Sequence, residues 1–216
     1  MSSGASNFVE SVDFVFLLAI GISVFFLVLI TTLMIVFVIK YNRKRNPKAV
    51  NVHSSTALEV IWTVIPTILV LILFWYGWTG YKEMVDIPED AMTVEVTAQM
   101  WLWQFKYETG KVTDSLYVPV NKAVKLILTS NDVNHSFFIP AFRVKKDVFP
   151  GTQRTTWFRA NKVGEYDIAC SEYCGLNHSY MYSKIFVMTE TEFKNWLYGV
   201  NDEDLKLLEE LTGGNE

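Results

Sequence analysis

The chain has only two cysteines in 216 residues, only three histidines and only six prolines. Two cysteines cannot knit a disulfide-rich framework. No Cys-x-x-Cys-His occurs, which excludes a fused c-type haem attachment site, and with Cys170 and Cys174 the only cysteines, no lipid-modified N-terminal cysteine is expected. Charge is also missing from long stretches. Phe14–Ile39 and Val60–Tyr81 contain no Asp, Glu, Lys, Arg or His. No basic excess marks a nucleic-acid footprint, since the formal net charge is −4. Neither internal repeats nor low-complexity tracts are found.

The uncharged runs account for a composition that is half apolar. Each is long enough to cross a hydrocarbon layer of about 30 Å, which takes about 20 helical residues. A cleavable signal would need a basic segment before the first run, whereas Glu10 and Asp13 stand there; the N-terminus is therefore expected to be retained. Between the runs lie Lys40, Arg43, Lys44, Arg45 and Lys48, with no acid before Glu59. The positive-inside rule puts that loop in the cytoplasm and both termini on the opposite face. The sequence thus divides into an external N-terminal segment (1–13), a first transmembrane helix (14–39), a basic cytoplasmic loop (40–58), a second transmembrane helix (59–81), a β domain (82–189), and a C-terminal helix with an acidic tail (190–216). Ser54 or Ser55 suits the cap of the second helix, and Glu59 suits its dipole.

Beyond Pro88 the pattern changes to short alternating segments bounded by Gly, Pro, Asn and Asp. Strands are predicted at Thr93–Tyr107, Ala123–Thr129, Arg154–Ala160, Gly164–Ala169 and Lys184–Met188, with weaker ones at Leu116–Val118 and Val144–Val148. Such spacing predicts an antiparallel β-sandwich. Helical spacing runs from Glu190 to Leu211, before Gly213 and Gly214. Residues 82–201 are close to neutral, with 13 basic and 14 acidic side chains, whereas 202–216 hold six acids and one Lys.

Chemistry concentrates in the twelve residues from Cys170 to Met181, which hold Cys170, Cys174, His178 and Met181. Soft sulfur with imidazole selects copper over oxygen-seeking cations. A single-copper site of the cupredoxin type uses one Cys, two His and a weak axial Met, one His being remote in sequence. His135 supplies the remote imidazole, and the second cysteine is the extra feature. Two thiolates can bridge two ions and spread each transferred electron over more bonds. A Cys170–Cys174 disulfide would leave His135, His178 and Met181 unexplained, and a Cys₂His₂ zinc site would leave Met181 without a role.

The segment resembles the binuclear copper A motif of subunit II of the haem-copper cytochrome c oxidases. The resemblance extends to Asp132-Val-Asn-His135-Ser, Val144-Lys-Lys-Asp147-Val-Phe-Pro150-Gly151, Trp101-Leu-Trp103, Glu59-Val-Ile-Trp62-Thr-Val-Ile-Pro66 and the helical hairpin, and so covers nearly the whole chain. It implies a two-helix hairpin followed by an all-β cupredoxin-like sandwich or barrel and a short C-terminal helix. It also implies that Cys170 and Cys174 bridge both coppers, with His135 and Met181 completing one ion and His178 and the Glu172 carbonyl the other. The Glu172 carboxylate would reach a magnesium ion at the border with subunit I; its plain alternative is a solvated loop acid. Trp101 falls where electrons arrive from cytochrome c, and shares a strand face with Trp103 by period two. Glu59 matches a glutamate at the mouth of a proton-uptake path, and equally fits a helix N-terminal charge.

The implied function is electron acceptance from cytochrome c and delivery to haem in subunit I, where oxygen is reduced to water with proton translocation. Subunit I, subunit III, further oxidase subunits and membrane lipid are the implied partners, with haems only in the partners. The implied location is the bacterial cytoplasmic or mitochondrial inner membrane, with the copper domain on the outer side. The same centre occurs in copper A subunits of membrane nitric oxide reductases, the nearest rival. A quinol oxidase subunit normally lacks these ligands, and a copper carrier needs an exposed, exchangeable metal. Departures from the family pattern are Leu102 for a Tyr, Lys106 for an acid, Ala169 for a Gln and Tyr182 for a Pro. None is an expected ligand, but Lys106 and the near-neutral domain argue against a strongly acidic dock, and point to an unusual or tethered cytochrome donor.

Overall fold

The two uncharged runs lie within helices α1 (Val9–Lys40) and α2 (Thr56–Val85) of a computed structural model that describes residues 4–48, 50, 51 and 53–199. No described residue of either helix is buried, and Phe16, Leu27, Phe74 and Trp75 are each more than half exposed. Apolar surface on every side is unfavourable in water and matched in hydrocarbon. At about 1.5 Å per residue both helices are long enough to span a bilayer. Two hydroxyls within them bond to their own helix, Ser23 to the Ala19 carbonyl at 2.8 Å and Thr67 to the Thr63 carbonyl at 2.7 Å, which satisfies those two groups without water. The Ser55 carbonyl accepts the Glu59 N–H at 3.0 Å, which identifies Ser55 as the residue opening α2.

The β unit is made of β1 (Met92–Gln99), β2 (Leu102–Tyr107), β3 (Val112–Thr113), β4 (Leu116–Pro119), β5 (Ala123–Ser130), β6 (His135–Ile139), β7 (Val144–Val148), β8 (Arg154–Arg159), β9 (Gly164–Cys170) and β10 (Tyr182–Met188). They form two sheets, in the order β3-β2-β1-β5-β8 and β4-β10-β9-β6-β7. Alternation dictates which faces meet. In β2, Trp103, Phe105 and Tyr107 are buried while Leu102, Gln104 and Lys106 are exposed. Between the sheets, Trp103 and Phe105 meet Phe137 at ring-centroid distances of 5.2 and 6.3 Å.

Three features differ from the sequence-based expectation. The sandwich is mixed rather than antiparallel: β1 runs parallel to β5, and β4 to β10. The chain leaves the first sheet after β3, lays β4 into the second and returns as β5 beside β1, a crossover that local alternation does not encode. The segment Thr93–Tyr107 is not one strand but the antiparallel pair β1 and β2, with Gln99 opposite Leu102; Met100 and Trp101 form the turn. Trp101 and Trp103 therefore do not share a strand face. Finally, helix α3 (Glu190–Tyr198) is shorter than the Glu190–Leu211 pattern. Gly199, at φ 68° in the left-handed region, ends it and bonds to the Asn195 carbonyl; residues 200–216 lie outside the described residues.

The N-terminal residues belong to the β unit. Ala5, Ser6 and Phe8 are buried, Asn7 N–H donates to the Arg159 carbonyl at 3.0 Å, and Arg159 N–H donates to Asn7 Oδ1 at 2.8 Å. This segment covers the free edge of β8, which would otherwise invite pairing with another chain.

Candidate metal centre

Cys170 is the last residue of β9, and Met181 immediately precedes β10. The antiparallel pairing of those strands brings the loop ends together, and Cys170 N–H donates to the Met181 carbonyl at 3.1 Å. Inside the loop, successive turns (His178 N–H to Gly175 O, Tyr180 N–H to Asn177 O, Met181 N–H to His178 O, all 3.0–3.2 Å) fold it back on itself. Ser171 N–H donates to the Ser136 carbonyl at 3.0 Å, which fastens the loop to β6, the strand that opens with His135.

The consequence is a convergence of soft donors. The Cys170 and Cys174 sulfurs are 3.8 Å apart, nearly twice a disulfide bond length of about 2.05 Å, and both thiols are free. His135 Nδ1 lies 3.8 Å from Cys170 Sγ, His178 Nδ1 3.5 Å from Cys174 Sγ, and Met181 Sδ 3.8 Å from Cys174 Sγ. The Glu172 carbonyl oxygen is 3.3 Å from Cys170 Sγ. All six sequence-predicted ligands thus meet in one place. His135 and Met181 are fully buried, the two cysteines nearly so, and His178 is partly exposed. Around it Tyr173, Leu176 and Tyr180 form an exposed apolar rim.

Electrostatics prepare the donors differently. Burial first, and the adjacent Cys170 thiol second, push the Cys174 thiol up to about 12. Without metal it holds its proton at neutral pH, so metal binding there must release protons. His135 Nε2 sits 2.9 Å from Asp132 Oδ1. A carboxylate accepts only, so Nε2 carries the hydrogen and Nδ1 keeps a lone pair facing the thiols. Burial would raise the Asp132 carboxyl, but bonds from His135, Met100 N–H and Val133 N–H outweigh it and hold it below the usual carboxylate range.

Trp101 is partly buried rather than fully exposed. Its indole packs on Gly175, where a Cβ would lie 3.4 Å from Cζ2 and Nε1; Gly175, at φ 121°, is the neighbour of Cys174. Glu59 lies in the first turn of α2, in the other unit. The Glu172 carboxylate is exposed and ion-paired: Lys145 Nζ lies 3.0 Å from its Oε1 and 2.9 Å from Asp147 Oδ1, and Ser136 Oγ donates to the same Asp147 oxygen at 2.7 Å. Sequence reasoning missed Asp132 as a partner of His135, Lys145 as a partner of Glu172, and Gly175 as the seat of Trp101. The Asp-x-x-His spacing was the one signal present.

The family "Cytochrome C oxidase subunit II, periplasmic domain" matches residues 67–188, and "Cytochrome C oxidase subunit II, transmembrane domain" matches residues 1–78. The probable cytochrome c oxidase subunit 2 of Rickettsia bellii is 30% identical over 207 residues, covering 82% of this chain and 77% of that protein. Cytochrome c oxidase subunit 2 of Alkalihalophilus pseudofirmus is 35% identical over 196 residues, covering 85% of this chain and 57% of that protein. The crystal structure of the periplasmic domain of subunit II of cytochrome oxidase of Bradyrhizobium japonicum is similar at a TM-score of 0.50 and 34% identity, over 53% of this chain and 96% of that one.

Proposed function

From the premise that this chain belongs to the cytochrome c oxidase subunit II family and is a subunit of a haem-copper oxidoreductase complex, we propose that it is the electron-accepting subunit, holding a binuclear copper A centre. Cys170, Cys174, His135, His178, Met181 and the Glu172 carbonyl would hold the two ions. The observation that carries this reading is the convergence of those six donors at spacings of 3.3–3.8 Å. Bound copper supplies the one-electron couple between cytochrome c and the haem of subunit I.

The chain's own residues do the rest. The thiols give up their protons to hold charge in a buried site, and Met181 keeps water from one side of it. The Asp132 carboxylate fixes which His135 nitrogen is free. Trp101, resting on the backbone beside Cys174, is the surface group through which electrons from cytochrome c reach the centre. Three acids of the domain are paired with ammonium groups, Asp147 with Lys145 and Glu165 and Asp167 with Lys184 at 2.9 and 2.8 Å, and Asp132 accepts a hydrogen bond from His135. Met100 and Leu102 flank Trp101 as exposed apolar groups, which fits a donor docked more by apolar contact than by charge. Because Lys145 holds Glu172 Oε1, a magnesium ion at the border with subunit I competes with that ammonium.

Helices α1 and α2 anchor the protein in the membrane. Residues 4–8 are hydrogen-bonded into the β unit, so both ends of the helical pair join one folded unit, which supports an outer location for it opposite the basic loop. The nitric oxide reductase alternative is not favoured, because the matched relatives are oxidase subunits. Mixing the complex with reduced cytochrome c tests the role. Replacing Cys174 by Ser should abolish rapid electron acceptance; a variant that accepts electrons at the parent rate with two coppers would refute the assignment.

A further inference from the structure

Asp132 touches both the copper ligand His135 and the turn that bears Trp101. Its Oδ1 accepts the His135 Nε2–H at 2.9 Å, and its Oδ2 accepts the Met100 N–H at 2.7 Å. Val133 N–H also donates to Oδ1 at 2.7 Å. The preceding residue grips the same hairpin: Asn131 N–H donates to the Ala98 carbonyl at 3.0 Å, and its amide donates to Gln99 Oε1 at 3.2 Å.

Trp101 needs such a hold. Its Nε1 is buried and finds no hydrogen-bond partner among the described residues, so the indole is kept against Gly175 by packing and by the backbone of its turn. The turn itself, Met100-Trp101, lacks the Gly or Asn that ordinarily shapes a two-residue hairpin connection. A carboxylate on the next strand's loop supplies the missing anchor. His135 has a parallel need. It is buried with its ring centroid 6.1 Å from that of Trp103, and a fixed Nε2–H keeps Nδ1 aimed at the thiols.

We propose that Asp132 is a positioning residue that aligns the electron-accepting turn with the copper centre by holding Met100 and His135 through one carboxylate. The inference rests on the copper A reading. Aspartate suits the task because both oxygens accept. Asparagine offers one acceptor and a pair of donors, so it serves one side and opposes the other. Glutamate keeps the charge but is one methylene too long for the same reach. The negative charge also favours the more positive, oxidised centre, so removing it raises the reduction potential.

The test uses the intact oxidase complex carrying Asp132→Asn, Asp132→Glu or Asp132→Ala. Copper per chain, the spectrum of the centre, its reduction potential and the rate of its reduction by cytochrome c are read together. With both coppers retained, all three variants should accept electrons roughly ten-fold or more slowly, the scale of losing a carboxylate behind a metal-bound histidine. The potential should rise for Asn and Ala and stay near the parent value for Glu, a split that a merely structural role would not produce. If Ala fails to load copper, the Asn and Glu variants decide. Parent-like rate and potential in copper-replete Asp132→Asn would overturn the proposal. An unsubstituted complex without a copper pair would overturn the copper reading, and this inference with it.

Discussion

At the residue scale, two thiols lie 3.8 Å apart, and burial favours the protonated form of Cys174. Cys174 rises from 9.0 to about 12 in the folded chain. A thiol whose folded value lies above its unfolded value loses stabilisation as pH rises, because the unfolded chain releases the proton first. The metal-free protein should therefore lose stability progressively above pH 9, whereas the copper-loaded protein, its thiolates already formed, should not. Thermal melts of both forms at neutral and alkaline pH check this, and parallel slopes would contradict it. The cluster of soft donors was legible in the sequence, because two sulfurs, an imidazole and a thioether fall within twelve residues. Asp132 was not, since an acid three residues before a histidine reads equally well as a solvated charge. Lys145 was hidden for a different reason: it sits on β7 and meets Glu172 only because β6 lies between β7 and β9 in one sheet.

At the element scale, helix α3 joins the two sheets at the end formed by β2 and β4. Thr189 and Glu192 form a reciprocal cap, Thr189 Oγ1 accepting the Glu192 N–H at 3.3 Å and Glu192 Oε2 accepting the Thr189 N–H at 2.9 Å. Phe193 is buried. Trp196 stacks on Tyr117 at 4.2 Å and meets Tyr107 edge-on at 5.1 Å, with the Lys111 ammonium 3.9 Å over its ring. Replacing Trp196 by Ala should cost about 2 kcal/mol, below the value for a fully buried aromatic because the ring is partly exposed. Chemical unfolding of the copper-loaded chain in detergent measures it, and an unchanged midpoint would remove α3 as a clamp. Alternation revealed most strands, including both weak candidates, because one face of each is buried. It missed the two-residue β3 and also β6, whose first three residues are all buried, and it could not show the β1–β5 and β4–β10 parallel pairs, which depend on the order in which the chain visits the sheets. Helix α3 closes at Gly199, and the rest of the helical pattern, residues 200–211, lies outside the described residues.

At the scale of the whole molecule, an apolar helical unit and a nearly neutral β unit divide the work. The uncharged runs and the basic loop made the membrane anchor legible, since charge and length alone decide what can cross a bilayer. The return of residues 4–8 onto the β unit was not, because a segment with so little apolar surface gives no pattern of its own. Everything functional then depends on whether the site at the end of β9 holds a coupled pair of metals rather than one. The direct measurement is copper content of the purified, loaded chain together with its electron paramagnetic resonance spectrum. Two coppers per chain, with one unpaired electron shared equally between both nuclei and lost together when Cys174 is replaced by Ser, is the predicted result. A single copper per chain, or a spectrum in which the electron resides on one nucleus, would contradict it.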